Sequence, residues 1–175
     1  MRTHGHVLSA FTGELLARAH AKLGGAAFGR LTQQLVVVAL KRLHPGLHEN
    51  PGAGTPDCRW SEQGTEWTWE IKSACGEGIS LGPRDIEGLR AARSRVVVLD
   101  VAFPTRLWVL DATGLRQGPL RPEAHAQRHR SEEAKGLANV METILHQCDI
   151  DVLTSEQQAK ALVRQAASST LLGPR

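Results

Sequence analysis

No run of apolar residues in this 175-residue chain approaches the roughly eighteen that a membrane-crossing helix needs, so no membrane-spanning helix is expected. The opening residues, Met1-Arg2-Thr3-His4-Gly5-His6, lack the apolar stretch of a secretion signal. Cysteine is sparse. Cys58, Cys75 and Cys148 are odd in number and show no CxxC spacing, which points to free thiols in a reducing, cytoplasmic setting rather than to a disulfide framework. A GxxxxGKS phosphate loop is absent, and so is a GxSxG nucleophile turn. ATP-driven chemistry and the serine-hydrolase type therefore find no support. Neither sign of charge is in large excess: a formal net charge of +3 is compatible with a nucleic-acid partner and does not require one. No internal repeat, low-complexity tract or interdomain linker interrupts residues 1–175, a common size for one domain.

What the chain does have is an alternation. Glu66-Trp67-Thr68-Trp69-Glu70-Ile71-Lys72-Ser73 switches between polar and apolar at every step. That period predicts a half-buried strand, with Trp67, Trp69 and Ile71 on the core side and Thr68, Glu70 and Lys72 on the other. Asp57-Cys58-Arg59-Trp60-Ser61 is a shorter candidate strand, and Glu62-Gln63-Gly64-Thr65 between them reads as a turn. An antiparallel hairpin follows. Directly opposed side chains in such a ladder stand roughly 5 Å apart at Cβ, so Asp57 and Glu70 are expected to converge.

Two carboxylates and a lysine so placed suit a hard divalent cation beside a phosphodiester. Mg²⁺ takes oxygen ligands and is commonly held by one or two carboxylates together with substrate phosphate. Asp57 and Glu70 would supply the carboxylates and the Ile71 carbonyl a third oxygen. Lys72, on the Glu70 face, would orient an attacking water or stabilise charge growing on the phosphate. The plainer alternative is an exposed Glu70–Lys72 ion pair, worth little, with Asp57 a turn residue after Pro56.

Pro56-Asp57, then Glu70-Ile71-Lys72 on an alternating strand, then a helix and a hydrophobic strand, resemble the PD-(D/E)XK nuclease superfamily over about residues 25–112. The resemblance implies an α/β, restriction-endonuclease-like fold with a central mixed β-sheet flanked by helices. It implies a metal-dependent deoxyribonuclease using Mg²⁺ or Mn²⁺, with Asp57, Glu70 and Lys72 catalytic and Asp57, Glu70 and Ile71 on the metal. A small chain of this type resembles type II restriction endonucleases, which are often homodimers. A structure-selective nuclease of the junction-resolvase type is the alternative within the same chemistry. A non-catalytic DNA-binding or assembly subunit is the rival from another class. Many relatives carry a further acid on the first helix; here Gln33 and Gln34 stand at that place, and Glu14 lies upstream.

Elsewhere, helical spacing predicts helices over 7–23 and 27–43, the first starting near Ser9 or Thr12 and ending at Gly24-Gly25. Residues 44–55 read as loop. Pro83 opens a short helix to about Arg93, with Asp85 and Glu87 suited to its positive end. Residues 95–101 read as a buried central strand and 106–111 as its neighbour, followed by loop to Pro122. Helices are expected from Ser131 to about Gln147 and over about 154–168, the latter capped by Thr154 or Ser155. Arg121, His125, Arg128, His129 and Arg130, with Arg116 nearby, form a basic cluster suited either to phosphate contact or to plain solvation. Arg90, Arg93 and Arg95 form a smaller run that reads as solvated surface. His125, His129, His146 and Cys148 match no tight zinc-ligand spacing.

Overall fold

A computed structural model of the chain describes residues 4–50, 56–91, 93–149 and 156–171. The elements run β1 (His6–Val7), α1 (Ala10–Leu23), α2 (Gly25–Leu43), β2 (His48–Glu49), β3 (Cys58–Glu62), β4 (Thr65–Ala74), β5 (Ile79–Leu81), α3 (Pro83–Ala91), β6 (Arg93–Asp100), β7 (Arg106–Asp111), β8 (Gly118–Leu120), α4 (Pro122–His125), α5 (Ser131–Leu145) and α6 (Glu156–Leu171). A 3₁₀ turn, Arg128–Arg130, leads into α5.

Six strands form one mixed sheet in the order β1-β7-β6-β4-β3-β2, and β5 pairs with β8 in a small second sheet. The expected architecture, a central mixed sheet flanked by helices, is the one observed. The β3–β4 hairpin turns at Gln63 and Gly64, both at positive φ (50° and 76°), as a two-residue hairpin turn requires. β4 and β6 run parallel, so the chain must cross over between them, and it does so through β5 and α3.

Both faces of the sheet are covered. On one, Trp69, Ile71, Val97, Leu99, Leu107 and Val109 pack with α1, α2 and α5. On the other, Val96, Val98, Trp108 and Leu110 pack with Ile86 and Leu89 of α3 and with Leu81 and Leu120 of the small sheet. This second layer explains a departure from expectation. The Thr68–Glu70–Lys72 face of β4 is not simply solvated: Thr68 and Glu70 are buried, at 6% and 8% exposure. β6 reads as a continuous apolar run because it is covered from both sides.

The helix starts follow local chemistry. The Ser9 hydroxyl accepts the Thr12 N–H at 3.2 Å and caps α1. Gly24, at φ 78°, ends α1 and lets α2 start at the next residue. The Val36-Val37-Val38 triplet stays helical because α2 is largely buried over Leu31–Leu40, and packing outweighs its weak propensity. Several short strands escaped the reading by period. β1, β2 and β8 hold two or three residues each, too few for an alternation to show, and they lie in stretches expected to be helix or loop. Phe11, which shares its helical spacing in α1 with Leu15 and Ala19, is 55% exposed, whereas Leu15 and Ala19 are buried. The proposed caps Thr154 and Ser155 lie outside the described residues.

Candidate active site

The hairpin register pairs Cys58 with Trp69 and Arg59 with Thr68. Continued one step, it sets Asp57 opposite Glu70; continued two, it sets Pro56 opposite Ile71. Asp57 Oδ2 accepts the Ile71 N–H at 2.7 Å. The Pro56 carbonyl, which would otherwise take that N–H, accepts from Asn50 Nδ2 at 2.9 Å. Proline has no N–H, so Pro56 has nothing to donate to the Ile71 carbonyl across the ladder. The sequence Pro-Asp thus replaces a backbone rung by a carboxylate and withholds a donor from the oxygen beside it.

Lys72 follows on the Glu70 face. Its Nζ lies 3.1 Å from Glu70 Oε1 and donates to Asp85 Oδ1 at 3.0 Å. The other Asp85 oxygen accepts the Gly82 N–H at 2.8 Å. Asp85 is three residues past Gly82, so its carboxylate reaches back over the first turn of α3 as one half of a capping box. Asp85 was read from the sequence only as a group suited to the helix start. The fold gives it a second task, since it ties the crossover helix to Lys72. Its offset of three from Gly82 marked the capping role. Nothing local marked the lysine contact, which spans thirteen residues.

Gln33 of α2 donates from Nε2 to Asp57 Oδ1 at 2.6 Å. Gln33 therefore does meet the site, as an amide. Gln34 turns elsewhere, toward Arg164 Nη2 at 3.4 Å. Glu14 is exposed on α1 beside the Val101–Thr105 turn. It is not among the groups that shift Asp57 or Glu70, because α1 packs toward the β6–β7 end of the layer.

The electrostatics follow from burial. Desolvation pushes Asp57 up to about 6; the nearby Asp85 charge adds to it, against the Ile71 N–H, Lys72 and Gln33. Desolvation, then the Asp57 charge, pushes Glu70 up to about 7, with Lys72 opposing. Burial disfavours the Lys72 ammonium, but Glu70 and Asp85 outweigh it and hold its pKa above the ordinary value. For Asp85 burial also opposes charge, yet the Gly82 N–H and Lys72 keep its pKa low. Lys72 is the cation acting on all three carboxylates. Three carboxylates and one ammonium leave two negative charges uncompensated when all are ionised.

That imbalance is the fit test for a divalent cation. Among the described residues no three His, Cys, Asp or Glu side chains form a metal shell by themselves. The site instead offers two side-chain carboxylates and a backbone oxygen. This matches the sparse protein ligation usual for Mg²⁺, which keeps several waters and takes substrate oxygens.

The basic cluster is divided by the fold. Arg121 and Arg128 are exposed and His125 is half-buried. Arg130 is engaged by Asp111 at 2.8 Å and Glu133 at 3.1 Å, and His129 lies 3.3 Å from Asp111. Cys58, Cys75 and Cys148 are free thiols. Trp69 is fully buried, and Trp67 and Trp60 stack on each other at 5.8 Å between ring centres. No helix among the described residues is long and apolar enough to cross a membrane.

No protein-family model matches the chain, and no curated protein matches it in sequence. Among solved structures, it is similar to Hjc, a Holliday junction resolvase from the archaeal hyperthermophile Archaeoglobus fulgidus, at 14% identity and a TM-score of 0.36, over 50% of this chain and 84% of that one.

Proposed function

We propose that the chain is a divalent-metal-dependent nuclease that hydrolyses phosphodiester bonds of DNA. The observation that carries the reading is the Asp57–Glu70 pair: two desolvated carboxylates opposed across a hairpin, with one lysine to serve them and Asp85. Asp57, Glu70 and the Ile71 carbonyl would hold Mg²⁺ or Mn²⁺. Bound there, the ion would lower the pKa of a water and polarise the scissile phosphate.

The chain's own residues account for the rest. Lys72 is protonated at neutral pH, so it serves as a cation toward phosphate oxygens rather than as a proton acceptor. Asp85 fixes the ammonium from behind. Gln33 and the Ile71 N–H fix one oxygen each of Asp57, so its carboxylate is oriented before any ligand arrives. The half-buried setting strengthens each of these interactions relative to water.

Two forms of the reading differ in substrate. A restriction-type enzyme would act as a homodimer and cut linear duplex on both strands; a structure-selective nuclease would cut at branch points. Plasmid, short hairpin and four-way-junction DNA, the last being what the archaeal protein is named for resolving, are to be incubated with Mg²⁺ and with EDTA. Defined fragments from duplex favour restriction, and light scattering should then report two copies. Cuts confined to the junction favour resolution. Asp57→Ala, Glu70→Ala and Lys72→Ala should each lower cleavage by about 10²-fold or more with an unchanged circular dichroism spectrum. DNA retention by the wild type with no cleavage in any metal would make the protein a binding or assembly subunit.

A further inference from the structure

The far end of α3 from Asp85 carries the opposite charge. Arg90 near the end of the helix, Arg93 at the start of β6 and Arg116 in the loop after β7 meet around a cavity of about 650 Å³. Trp67, Ser94 and Thr113 are also on its wall. Arg130 reaches the same cavity, but its guanidinium is held by Asp111 and Glu133. Asp111, the acid on the wall, is thereby taken up by Arg130 and His129. Among the described residues no carboxylate pairs with Arg90, Arg93 or Arg116; Arg93 lies over the face of Trp67, 5.7 Å from the ring centre.

Arginine cannot relieve like-charge repulsion by giving up its proton. Three guanidinium groups around one concavity therefore raise its potential, and a concave wall focuses that field. Guanidinium forks match phosphate oxygens bidentately, and Thr113 puts a hydroxyl on the same wall. The chain separation matters too. Ser94 on the cavity wall bonds Thr68, which lies two residues before Glu70 on the same face of β4, or about 7 Å at the rise of a strand.

We propose that this cavity seats a phosphate of the DNA backbone close to the bond presented to Asp57 and Glu70, which makes Arg90, Arg93 and Arg116 substrate-positioning residues. The inference rests on the nuclease reading for its source of phosphate. Sequence alone gave Arg90 and Arg93 the reading of solvated surface, because Arg116 joins them only through the fold.

The test uses Arg90→Gln and Arg116→Gln, both at exposed positions, with Lys135→Gln on the opposite layer as a control of equal charge. The first arm follows thermal unfolding with inorganic phosphate and with a deoxynucleoside 5′-monophosphate. The second measures duplex DNA binding in EDTA as a function of salt. Wild type and Lys135→Gln should be stabilised by phosphate, and both arginine variants should lose that rise. In the DNA arm each arginine variant should lower the slope of log affinity against log salt by about 1, with binding weakened alike across sequences. Stabilisation by phosphate with DNA binding unchanged would overturn the DNA assignment in favour of a free phosphate or nucleotide. No phosphate effect, with arginine and control variants alike in DNA binding, would overturn the site. Cleavage is read in neither arm, so failure of the nuclease reading leaves the phosphate result standing on its own.

Discussion

Two clusters of four charged residues sit half-buried on this sheet, and they are built on opposite principles. Arg95, Glu133, Arg130 and Asp111 form a closed chain of ion pairs. Arg95 also lies over Trp60, Trp67 and Trp69, with its guanidinium 4.5 Å from the Trp67 ring centre. Two cations meet two acids, and the indoles shield what remains. Asp57, Glu70, Lys72 and Asp85 set one cation against three acids. The first arrangement is what a protein does with charge it must bury for packing; the second leaves a negative excess that protons or a bound cation would relieve. Buried charge alone does not mark a functional site; buried charge that fails to balance within the fold is the better candidate.

Breaking each cluster should have opposite consequences for stability. Glu133→Gln strands Arg95 among the indoles with its ion-pair partner gone. A loss of about 3–5 kcal/mol is expected in urea unfolding, because an uncompensated buried charge is left behind. A loss under about 1 kcal/mol, the level of an exposed pair, would mean that the Arg95 cluster is no more closed than a surface ion pair.

Metal sharpens the other half. Mn²⁺ or Mg²⁺ should raise the unfolding temperature at pH 8, where both carboxyls are ionised, and much less at pH 5. At a hundred times its dissociation constant, a ligand that binds only the folded state adds about 2.7 kcal/mol. Asp57→Asn together with Glu70→Gln should abolish the rise. An equal rise in the double variant would place the ion elsewhere.

The metal-free protein should show the cost of the imbalance. A carboxyl whose pKa is raised by folding binds its proton more tightly in the folded state. The stability it contributes is present below the ordinary values of 3.8 for Asp57 and 4.5 for Glu70, and it is lost as pH rises through about 6 and about 7. In EDTA at pH 8, Glu70→Gln should therefore unfold at a higher temperature than wild type, by several degrees for each kcal/mol or two recovered. The difference should shrink toward pH 4. A Glu70→Gln protein less stable than wild type at pH 8 would show the carboxylate to be compensated after all.

The smallest expected effect is at Asp85. Asp85→Asn keeps an oxygen for the Gly82 N–H but loses the charge facing Lys72. Cleavage should fall by less than for Lys72→Ala, with stability changed by about 1 kcal/mol or less. A loss as large as that of Lys72→Ala would move Asp85 from holding the lysine to touching the substrate.

The hairpin was legible because its information is local. Alternation over Glu66–Ser73 sets the two faces of β4, and the Gln63-Gly64 turn sets the register that carries Asp57 toward Glu70. The β6 and β7 strands were legible for a related reason: a strand covered on both faces must be apolar throughout. Asp85 and Gln33 were not legible as members of the site. They reach it across thirteen and twenty-four residues respectively, through a crossover helix and an N-terminal helix whose placement no local pattern encodes. The short strands β1, β2 and β8 were hidden for want of length.

By itself the sequence determined the longer helices and strands, the opposition of Asp57 and Glu70, and the pairing of Lys72 with the Glu70 face. These rest on periods of two and 3.6 and on turn chemistry, all contained in a few neighbouring residues. Only the tertiary structure decided the sum of charges at each place: three acids against one lysine at one end of α3, arginines without an acid partner among the described residues at the other, and a neutral network under the tryptophans. Charge compensation depends on which distant side chains meet and how much water they exclude, and packing alone sets both.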